Sequence, residues 1–310
     1  MDGILVVDKP SGISSFGVVR QVKRWLNIKK VGHTGTLDPF ASGVLALAMN
    51  EGTKTVPFLT DQRREYEATL KLGVETDTYD RTGKITAARD LGGFRLDEET
   101  IKEVMRGFVG HKEQVPPMFS ALKHGGRRLY TLARRGILVE REPRVVEIMD
   151  IEVTSIRLPL VGFTVACLKG TYIRTLAHDM GRELKCGAHL CQLRRTRSGP
   201  FALEDAISFR QVKSLAEGGM IEGRIIPLSQ VLGGLPKLCV EGELQQKIQR
   251  GGQITVRDIG DSPFPRIDRG APVRVISSDG DLIAIARAEM GRGRPVDEEA
   301  VAFRLLRVFH

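Results

Sequence analysis

Apolar residues recur along the first part of the chain with two periods, one typical of strands and one typical of helices. Residues 4–7 form a short apolar run that ends in a turn containing proline and glycine, which predicts a buried strand. Between residues 18 and 26 apolar side chains recur at helical spacing with basic side chains between them, which predicts an amphipathic helix. Residues 65–72 alternate with period two and place Tyr66 on the apolar face of a strand.

The middle of the chain continues this mixture. The pattern predicts a helix over residues 100–109, strands over residues 145–153 and 161–168, and a helix that opens at residues 170–171. Strands and helices therefore occur together without the strict alternation of a parallel α/β sheet, and we predict an α+β fold.

The character of the chain changes toward its C-terminal end. Two short strands are predicted at residues 273–276 and 282–288, and Asp279 and Gly280 between them are a strong hairpin signal. We predict a domain boundary close to residue 233, followed by a smaller, β-rich domain.

One segment, residues 32–43, predicts an irregular loop because it holds three glycines and a proline. Asp38 precedes Pro39, which biases the aspartate away from helical backbone angles and holds its carboxylate on a defined loop. From the residues alone, this is either a reactive carboxylate or an Asp-Pro turn with a solvated side chain. His33 alone is more typical of a hydrogen-bonded loop histidine than of a ligand or a base.

Composition and charge narrow the class of protein. The chain has 310 residues, 41% hydrophobic and 27% charged, which favours a folded, soluble protein of about two domains. Its formal net charge of +9 favours a polyanionic partner, and nucleic acid and membrane headgroups both remain open. The N-terminal apolar run is too short for a signal peptide or a membrane span, so we expect a cytosolic protein.

Residues that could bind metals or nucleotides do not have a familiar spacing. His189 lies between Cys186 and Cys191, but this spacing matches no common zinc pattern, and the four cysteines include no Cys-x-x-Cys pair. The sequence also lacks a phosphate-binding loop of the Gly-x-x-x-x-Gly-Lys type and a dinucleotide-binding glycine pattern. We predict buried thiols, no metal site and no nucleotide hydrolysis.

Basic side chains cluster around Tyr130. The cluster follows the helix break at residues 114–117 and includes one lysine, one histidine and four arginines between residues 123 and 135. Arginines around a tyrosine suit a phosphate backbone with a base or sugar stacked nearby, although a solvated basic face would have the same composition.

Arg174 and Tyr66 are each open to two interpretations. Arg174 lies in the first turn of its predicted helix, where the helix dipole disfavours a cation by ~0.3–1 kcal/mol. Either an anion lies near this arginine or the side chain is exposed and tolerates the penalty. Tyr66, on an apolar strand face, is by default a core tyrosine with its hydroxyl at the edge.

The segment Gly-His-Thr-Gly-Thr-Leu-Asp-Pro at residues 32–39 resembles the signature of the TruB-type tRNA pseudouridine(55) synthases. It does not stand alone, since further blocks similar to the family occur in the expected order at residues 3–12, 64–66, 77–83, 114–123 and 169–175. Ser14, Phe40 and Ser42 depart from the residues that are usual in the family, but none of these departures removes a reactive group. The resemblance covers nearly the whole chain.

The resemblance implies a fold and a division of the chain. The α+β fold would be a pseudouridine-synthase sheet, mixed or antiparallel and flanked by helices, with a small C-terminal β-rich domain similar to a PUA domain. The catalytic domain would span residues 1–232 and include a basic RNA-binding segment at about residues 112–145. The PUA-like RNA-binding domain would span residues 233–310.

The resemblance also assigns catalytic roles. Asp38 is implied to be the nucleophilic carboxylate, Tyr66 to stack on the target uracil, and Arg174 to pair with Asp38. Asp80 is implied to hold that arginine. An anion beside Arg174 would account for a cation in the first turn of a helix.

A second group of residues is implied to bind the substrate. His33 resembles the histidine that takes part in displacing the loop bases, and Leu193 resembles the apolar residue of the uracil pocket. The residues assigned to substrate binding are His33, Asp80, Leu193, Lys9, Lys123, Arg127, Arg128 and Tyr172.

The implied reaction isomerises one uridine in the T-arm loop of tRNA to pseudouridine. The C–N glycosidic bond breaks, the detached uracil turns, and its C5 joins C1′ of the ribose, with no cofactor and no metal. Attack on C1′, attack on the base and removal of the C2′ proton all remain open as the first step. The target nucleotide has to be flipped out of its stack, which requires a stacking surface and a filler for the gap.

The implied partner is the T-arm stem-loop of tRNA, with no membrane and no obligatory protein partner, and we expect a cytoplasmic monomer. One alternative is a guide-RNA-dependent relative with the same catalytic blocks, and another is a non-catalytic tRNA-binding or tRNA-folding protein on this scaffold. The short N-terminus and the lack of a basic tail favour the stand-alone enzyme. The presence of Asp38, Tyr66 and Arg174 argues against a loss of chemistry.

Overall fold

The computed structural model describes residues 1–59, 62–260, 267–291 and 297–310. The strands in these residues are β1 Gly3–Lys9, β2 Val31–His33, β3 Ser42–Met49, β4 Arg64–Leu72, β5 Val74–Thr76, β6 Ile85–Ala88, β7 Gly110–Gln114, β8 Lys123–His124, β9 Arg127–Arg128, β10 Arg144–Arg157, β11 Leu160–Cys167, β12 Ala188–Ser198, β13 Phe201–Ala202, β14 Ile207–Ser208, β15 Ile225–Ile226, β16 Lys237–Val240, β17 Ile254–Thr255, β18 Pro272–Ser277, β19 Leu282–Ala288 and β20 Val301–Val308. The α-helices are α1 Ser15–Trp25, α2 Val56–Leu59, α3 Glu98–Arg106, α4 Leu129–Ala133, α5 Ile173–Glu183, α6 Phe209–Glu217, α7 Leu228–Val231, α8 Gly242–Gln249 and α9 Val256–Ile259.

Within the described residues, a mixed sheet of eleven strands forms the larger part of the fold, with the main order β14, β1, β3, β12, β4, β11, β10, β7. The pairs β1–β14 and β3–β12 are parallel, and the other neighbours in this order are antiparallel. Strands β2, β13 and β15 extend the sheet by pairing with β3, β12 and β1. The predicted α+β class, with a mixed sheet flanked by helices, is confirmed.

The strand register defines the two faces of this sheet. Tyr66 on β4 lies opposite Arg195 on β12, and Arg195 lies opposite Gly43 on β3. Directly opposed residues project to the same face of a sheet, so the side chains of Tyr66 and Arg195 share one face. Helices α1, α3, α5 and α6 contribute buried apolar residues to the clusters on this face.

Two central strands of the sheet do not follow from the sequence pattern. Strand β3 is apolar at nearly every position because both of its faces are buried, so it has no period-two signal. Strand β12 carries three arginines after its last apolar residue, Leu193, and also lacks a clear alternation. The loop predicted over residues 32–43 is shorter in the structure, because its two ends pair within β2 and β3.

The helices agree with the sequence prediction within a few residues. The Ser14 side chain caps α1 by accepting a hydrogen bond from the Gly17 amide. The helix expected over residues 100–109 begins earlier, because the Asp97 side chain caps it, and ends at Arg106 before β7. No helix in the ranges given above is both long and apolar enough to cross a membrane.

A second sheet of five strands lies at the C-terminal end, in the order β16, β18, β19, β20, β17. Gly280 adopts a positive φ of 89° in the β18–β19 hairpin, which confirms the predicted turn. Ile285 and Phe309 of this C-terminal part share one buried cluster with Val6 and Val44 of the main sheet. The two sheets therefore share part of an apolar core, and the domain boundary close to residue 233 stays a prediction.

Candidate active site

A bidentate ion pair between Asp38 and Arg174 lies at the centre of the candidate site. Arg174 donates from Nε to one carboxylate oxygen of Asp38 at 2.7 Å and from a terminal nitrogen to the other at 3.1 Å. The arginine side chain is 3% exposed, whereas that of Asp38 is 30% exposed. The carboxylate is therefore held from the protein side and reachable from the solvent side.

The remaining donors of Arg174 are also occupied. They reach the backbone carbonyls of Thr78 at 2.9 Å and Phe119 at 3.0 Å, and one terminal nitrogen lies 3.6 Å from the Asp80 carboxylate. Arg174 occupies the first turn of α5, where the helix dipole opposes a cation. Two carboxylates and two carbonyls offset that cost and fix the plane of the guanidinium.

A tight turn over residues 77–83 orients Asp80. Its Oδ1 accepts hydrogen bonds from the Thr82 amide at 2.8 Å, from the Thr82 hydroxyl and from the Thr78 hydroxyl at 3.0 Å. Tyr79 in this turn has a positive φ of 62° and stacks on the ring of His178 from α5 at 4.0 Å. The turn presents both the Thr78 carbonyl and the Asp80 carboxylate to Arg174.

The Asp38 loop is anchored to the start of α1. The Ser15 hydroxyl, which is buried, accepts from the Leu37 amide at 2.8 Å and donates to the Leu37 carbonyl at 3.0 Å. On the other side of Asp38, the Gly12 amide donates to the Pro39 carbonyl at 2.7 Å. Both backbone neighbours of Asp38 are thereby fixed by the segment that runs from the end of β1 to the first residue of α1.

Lys9, one of the residues assigned to substrate binding, is fully buried under this loop. Its Nζ donates to the carbonyls of Pro10 at 2.9 Å, Ile13 at 2.8 Å and Pro39 at 3.4 Å. Burial lowers the pKa of Lys9 to about 8, and the nearby Asp38 carboxylate partly opposes this shift. These contacts favour a role in supporting the Asp38 loop, and direct contact of Lys9 with substrate stays a prediction.

Arg195 is a second buried cation at the site, 0% exposed. It donates to the backbone carbonyls of Val44 at 2.8 Å, Gly35 at 3.0 Å and Thr36 at 3.3 Å, so it holds the base of the Asp38 loop from the sheet side. Arg195 also lies directly opposite Tyr66 on the neighbouring strand, close enough for its charge to act on the phenol. Burial raises the pKa of the Tyr66 hydroxyl, whereas the charge of Arg195 favours the ionised phenol.

His33 and Leu193 lie on the elements that flank the loop. His33 ends β2, and its Nδ1 is buried with no hydrogen-bond partner among the described residues. Burial lowers the pKa of His33, which favours the neutral ring. Leu193 on β12 belongs to the same apolar cluster as Tyr66 and Phe40.

Tyr172 immediately precedes α5, and a buried glutamine holds its backbone. The Gln114 amide donates to the Tyr172 carbonyl at 3.1 Å, and its oxygen accepts from the Tyr172 amide at 2.8 Å. Burial raises the pKa of the Tyr172 hydroxyl. This two-point contact fixes the chain directly before Arg174.

The basic segment predicted near Tyr130 forms a hairpin and a short helix. Lys123 and His124 on β8 pair with Arg127 and Arg128 on β9, and all four side chains are exposed. Tyr130 on α4 lies between two guanidinium groups, those of Arg128 at 6.0 Å and Arg134 at 5.5 Å from its ring centre.

This segment is connected to the Asp38–Arg174 pair through its backbone. Phe119, whose carbonyl accepts a hydrogen bond from Arg174, packs against a small apolar cluster formed by Met118, Leu129 and Leu132. A movement of the basic hairpin would therefore shift the Phe119 carbonyl and disturb its hydrogen bond with Arg174.

Two residues of the site do not follow from the sequence analysis. Arg195 lies in a run of arginines, and such a run is typical of a solvated surface. Only the strand pairing, which sets Arg195 opposite Tyr66, indicates that its side chain faces the core. Gln114 lies within a block used for the family resemblance, but no pattern singles out its contact with Tyr172. No group of three or more ligating side chains that could hold a metal occurs in the described part of the chain.

Comparison with known proteins assigns the family. The TruB family pseudouridylate synthase N-terminal domain matches residues 23–173, and the tRNA pseudouridylate synthase B C-terminal domain matches residues 174–232. The tRNA pseudouridine synthase B of Geobacter sulfurreducens is 45% identical over 310 residues, which are 100% of both chains. The chain belongs to the TruB family of pseudouridylate synthases. The tRNA pseudouridine synthase B of Clostridium kluyveri is 45% identical over 258 residues, which cover 83% of this chain and 86% of that relative.

This TruB-family chain is also similar to chains in the solved structures of larger assemblies. A chain in the crystal structure of a Cbf5-Nop10-Gar1 complex is 30% identical, with a TM-score of 0.75 and coverage of 99% of this chain and 85% of that one. A chain in a structure of an H/ACA RNP bound to a substrate RNA is 28% identical, also with a TM-score of 0.75 and the same coverage. The first family domain contains Asp38, Tyr66 and Asp80, and the second begins at Arg174.

Proposed function

We propose that this chain isomerises a uridine of tRNA to pseudouridine, with Asp38 as the attacking carboxylate. The observation that carries the proposal is the ion pair between Arg174 and Asp38, which leaves one edge of the carboxylate open to solvent. The relative from Geobacter sulfurreducens that shares 45% of the sequence along its whole length is a tRNA pseudouridine synthase B. The target is proposed to be a uridine in the T-arm loop.

The reaction is an internal rearrangement and conserves every atom of the nucleotide. The bond from N1 to C1′ breaks, C5 forms the new bond to C1′, and the proton on C5 leaves while N1 gains one. Asp38 is held by two parallel hydrogen bonds, which fix the direction of its free edge. That edge can attack C1′ or the base, or take the C2′ proton, and the geometry is compatible with all three.

The aromatic and apolar residues around Asp38 suit a flipped uracil. Tyr66 offers an aromatic ring for stacking, and Leu193 adds an apolar surface from the neighbouring strand. His33 is held largely neutral by burial and is proposed to take the space vacated in the RNA. Asp80 and Tyr172 act by positioning Arg174.

RNA outside the active site is proposed to bind two basic or β-rich regions. Lys123, Arg127 and Arg128 project from an exposed hairpin and suit phosphate contacts. The C-terminal residues 233–310 are proposed as a PUA-like RNA-binding domain, packed on the main sheet through the cluster that contains Phe309. We propose a cytoplasmic, monomeric enzyme that needs no protein partner.

The test is to map pseudouridine in an unmodified tRNA transcript after incubation with the purified chain alone. We expect one pseudouridine in the T-arm loop, without any added guide RNA or protein. Product that appears only with a guide RNA would favour the guide-dependent alternative. Tight tRNA binding without any product would favour the non-catalytic alternative.

Chelators are expected to leave the rate unchanged. The rearrangement needs neither a redox step nor a group donor, and the described residues include no set of three ligating side chains. The measurement compares pseudouridine formation after dialysis against EDTA with that of the untreated protein, with magnesium restored to both so that the tRNA stays folded. Activity lost after dialysis and regained with zinc would contradict the expectation.

Ser15→Ala is expected to weaken both the fold and the catalytic loop. It leaves the amide and carbonyl of Leu37 without their buried partner, which costs about 1–3 kcal/mol of unfolding free energy. Ser14→Ala is the matched control, because it removes the α1 cap, worth about 0.5–2 kcal/mol, and leaves the Leu37 contact intact. We expect single-turnover rates to fall only in Ser15→Ala, and equal rates in the two variants would contradict the proposed support of the loop.

A further inference from the structure

An open cavity of about 610 Å³ lies between the end of β1, helix α1 and the start of α6. None of the three proposed catalytic residues lines it. Its walls include the aromatic side chains of Trp25 and Phe209 and the basic side chains of Arg24, Arg210 and Lys213. Its volume lies within the range of small-molecule sites, roughly 300–1,000 Å³.

The charge of this cavity is strongly positive. Asp8 is its acidic residue, and the Asp8 carboxylate is already engaged by Arg194 at 2.8 Å. Arg24 and Arg210 make no ion pair with an acid in the ranges that the structure describes, and both are exposed. Two guanidinium groups thus face the cavity mouth with donors available for an anion, and guanidinium groups match the geometry of a phosphate.

The aromatic wall gives the cavity a second property. The rings of Trp25 and Phe209 are 4.9 Å apart and tilted by 43°, so each supports the other, and both remain partly exposed. An aromatic ring beside free arginines is the combination that binds an unpaired base together with its phosphate.

We propose that this cavity binds a nucleotide, with the base against Trp25 and the phosphate at Arg24 and Arg210. The nucleotide is an unpaired residue of the bound RNA, an assignment that rests on the proposed function. The pocket adjoins the catalytic loop, because Lys9, which lines it, also donates to the Pro39 carbonyl. It would position the RNA without taking part in the chemistry.

Trp25 is the only tryptophan of the chain, so its fluorescence reports occupancy of this cavity directly. The experiment titrates the full chain with unmodified tRNA, and separately with AMP, while emission is recorded. The variant Arg24→Gln/Arg210→Gln keeps the tryptophan and removes two charges from the cavity. The matched control Arg20→Gln/Lys23→Gln removes two exposed charges from α1 that do not line the cavity.

We expect tRNA to quench Trp25 in the wild type and in the control. In the cavity variant the quench should disappear, KM for tRNA should rise about tenfold, and the slope of log Kd against log salt should fall by roughly 1, as for one lost phosphate contact. The kcat should stay within about twofold, because the contact is made equally in the bound and transition states.

Three results would overturn the proposal. An unchanged emission on addition of tRNA means that the cavity takes no nucleotide of the RNA. Quenching by AMP but not by tRNA assigns the cavity to a free nucleotide instead. Equal rises of KM in the cavity variant and in the control mean that the loss of any two positive charges weakens RNA binding, with no specific role for the cavity. Pseudouridine formation by the wild type is measured independently, so failure of the pocket leaves the proposed function standing.

Discussion

Asp38→Asn is expected to lower pseudouridine formation at least about ten-thousandfold, in the range seen when an enzyme loses its nucleophile. The amide has nearly the shape of the carboxylate but neither its charge nor its nucleophilicity. Binding of tRNA should stay within about threefold, because phosphate contacts made elsewhere supply most of the affinity for a nucleic acid. Single-turnover assays with saturating enzyme measure the chemical step apart from binding.

The same substitution tests the electrostatics of the site. Arg174 is 3% exposed and would lose its nearer anion, with the Asp80 carboxylate remaining at 3.6 Å. Breaking a fully buried pair costs about 3–5 kcal/mol, and we expect less here because the Asp38 side chain is 30% exposed. Thermal unfolding of the variant checks that the fold survives under assay conditions.

Asp77→Asn is the matched control for Asp38→Asn. Asp77 is an exposed acid of the neighbouring turn whose carboxylate accepts from the Lys84 amide. It makes no contact with Arg174 among the described hydrogen bonds. We expect near-normal product from this variant. Product from Asp38→Asn within about tenfold of wild type, a loss of only ~1.4 kcal/mol, would rule out Asp38 as the nucleophile.

Tyr66→Phe is expected to form pseudouridine at least about a hundredfold more slowly while binding tRNA almost normally. It keeps the stacking ring and deletes the hydroxyl, which is proposed to remove the C5 proton after the uracil has been reattached. Positioned acid–base groups contribute about 10²–10⁴ in rate. The contact with Arg195 supports this role, because a neighbouring cation favours the ionised phenol against the effect of burial.

Tyr66→Leu separates stacking from proton transfer. It removes both ring and hydroxyl, and loss of a base-stacking surface costs about 1–3 kcal/mol. Both variants remove the phenol hydroxyl that faces the buried Arg195, and thermal unfolding of both checks that the fold survives under assay conditions. Near wild-type single-turnover rates for Tyr66→Phe beside a crippled Tyr66→Leu would show that Tyr66 only stacks and that another group takes the proton.

Local periodicity was sufficient for elements with one buried and one solvated face. Strand β4 is an example, because its alternation puts Tyr66, Ala68 and Leu70 on the core side. Helix α1 is another, with its buried valines at helical spacing. The same reasoning did not find β3, because both of its faces are buried and it loses the alternation. It did not find β12, because arginines occupy both buried and half-buried positions in the second half of that strand.

The candidate site could be predicted from the sequence only through several family motifs that occur in the expected order. The residues by themselves left Asp38 as a possible solvated turn, and the family resemblance favoured a catalytic carboxylate. The structure brings Asp38, Arg174 and Asp80 together, as the resemblance implied. Their catalytic roles stay predictions until the variants are measured.

The sequence by itself determined the family, the chemistry available to it and most of the regular elements, because these depend on residue types and short spacings. Tertiary structure alone decided which charges are buried. Asp38 and Arg174 are 136 positions apart and meet only because the sheet sets the β2–β3 loop beside the start of α5. Lysine and arginine usually lie at the surface, yet Lys9 and Arg195 are both buried. Backbone carbonyls of the Asp38 loop accept the hydrogen bonds that water would otherwise accept from them. These hydrogen bonds depend on which residues are neighbours in the folded structure, and the spacing of residues along the sequence does not predict that.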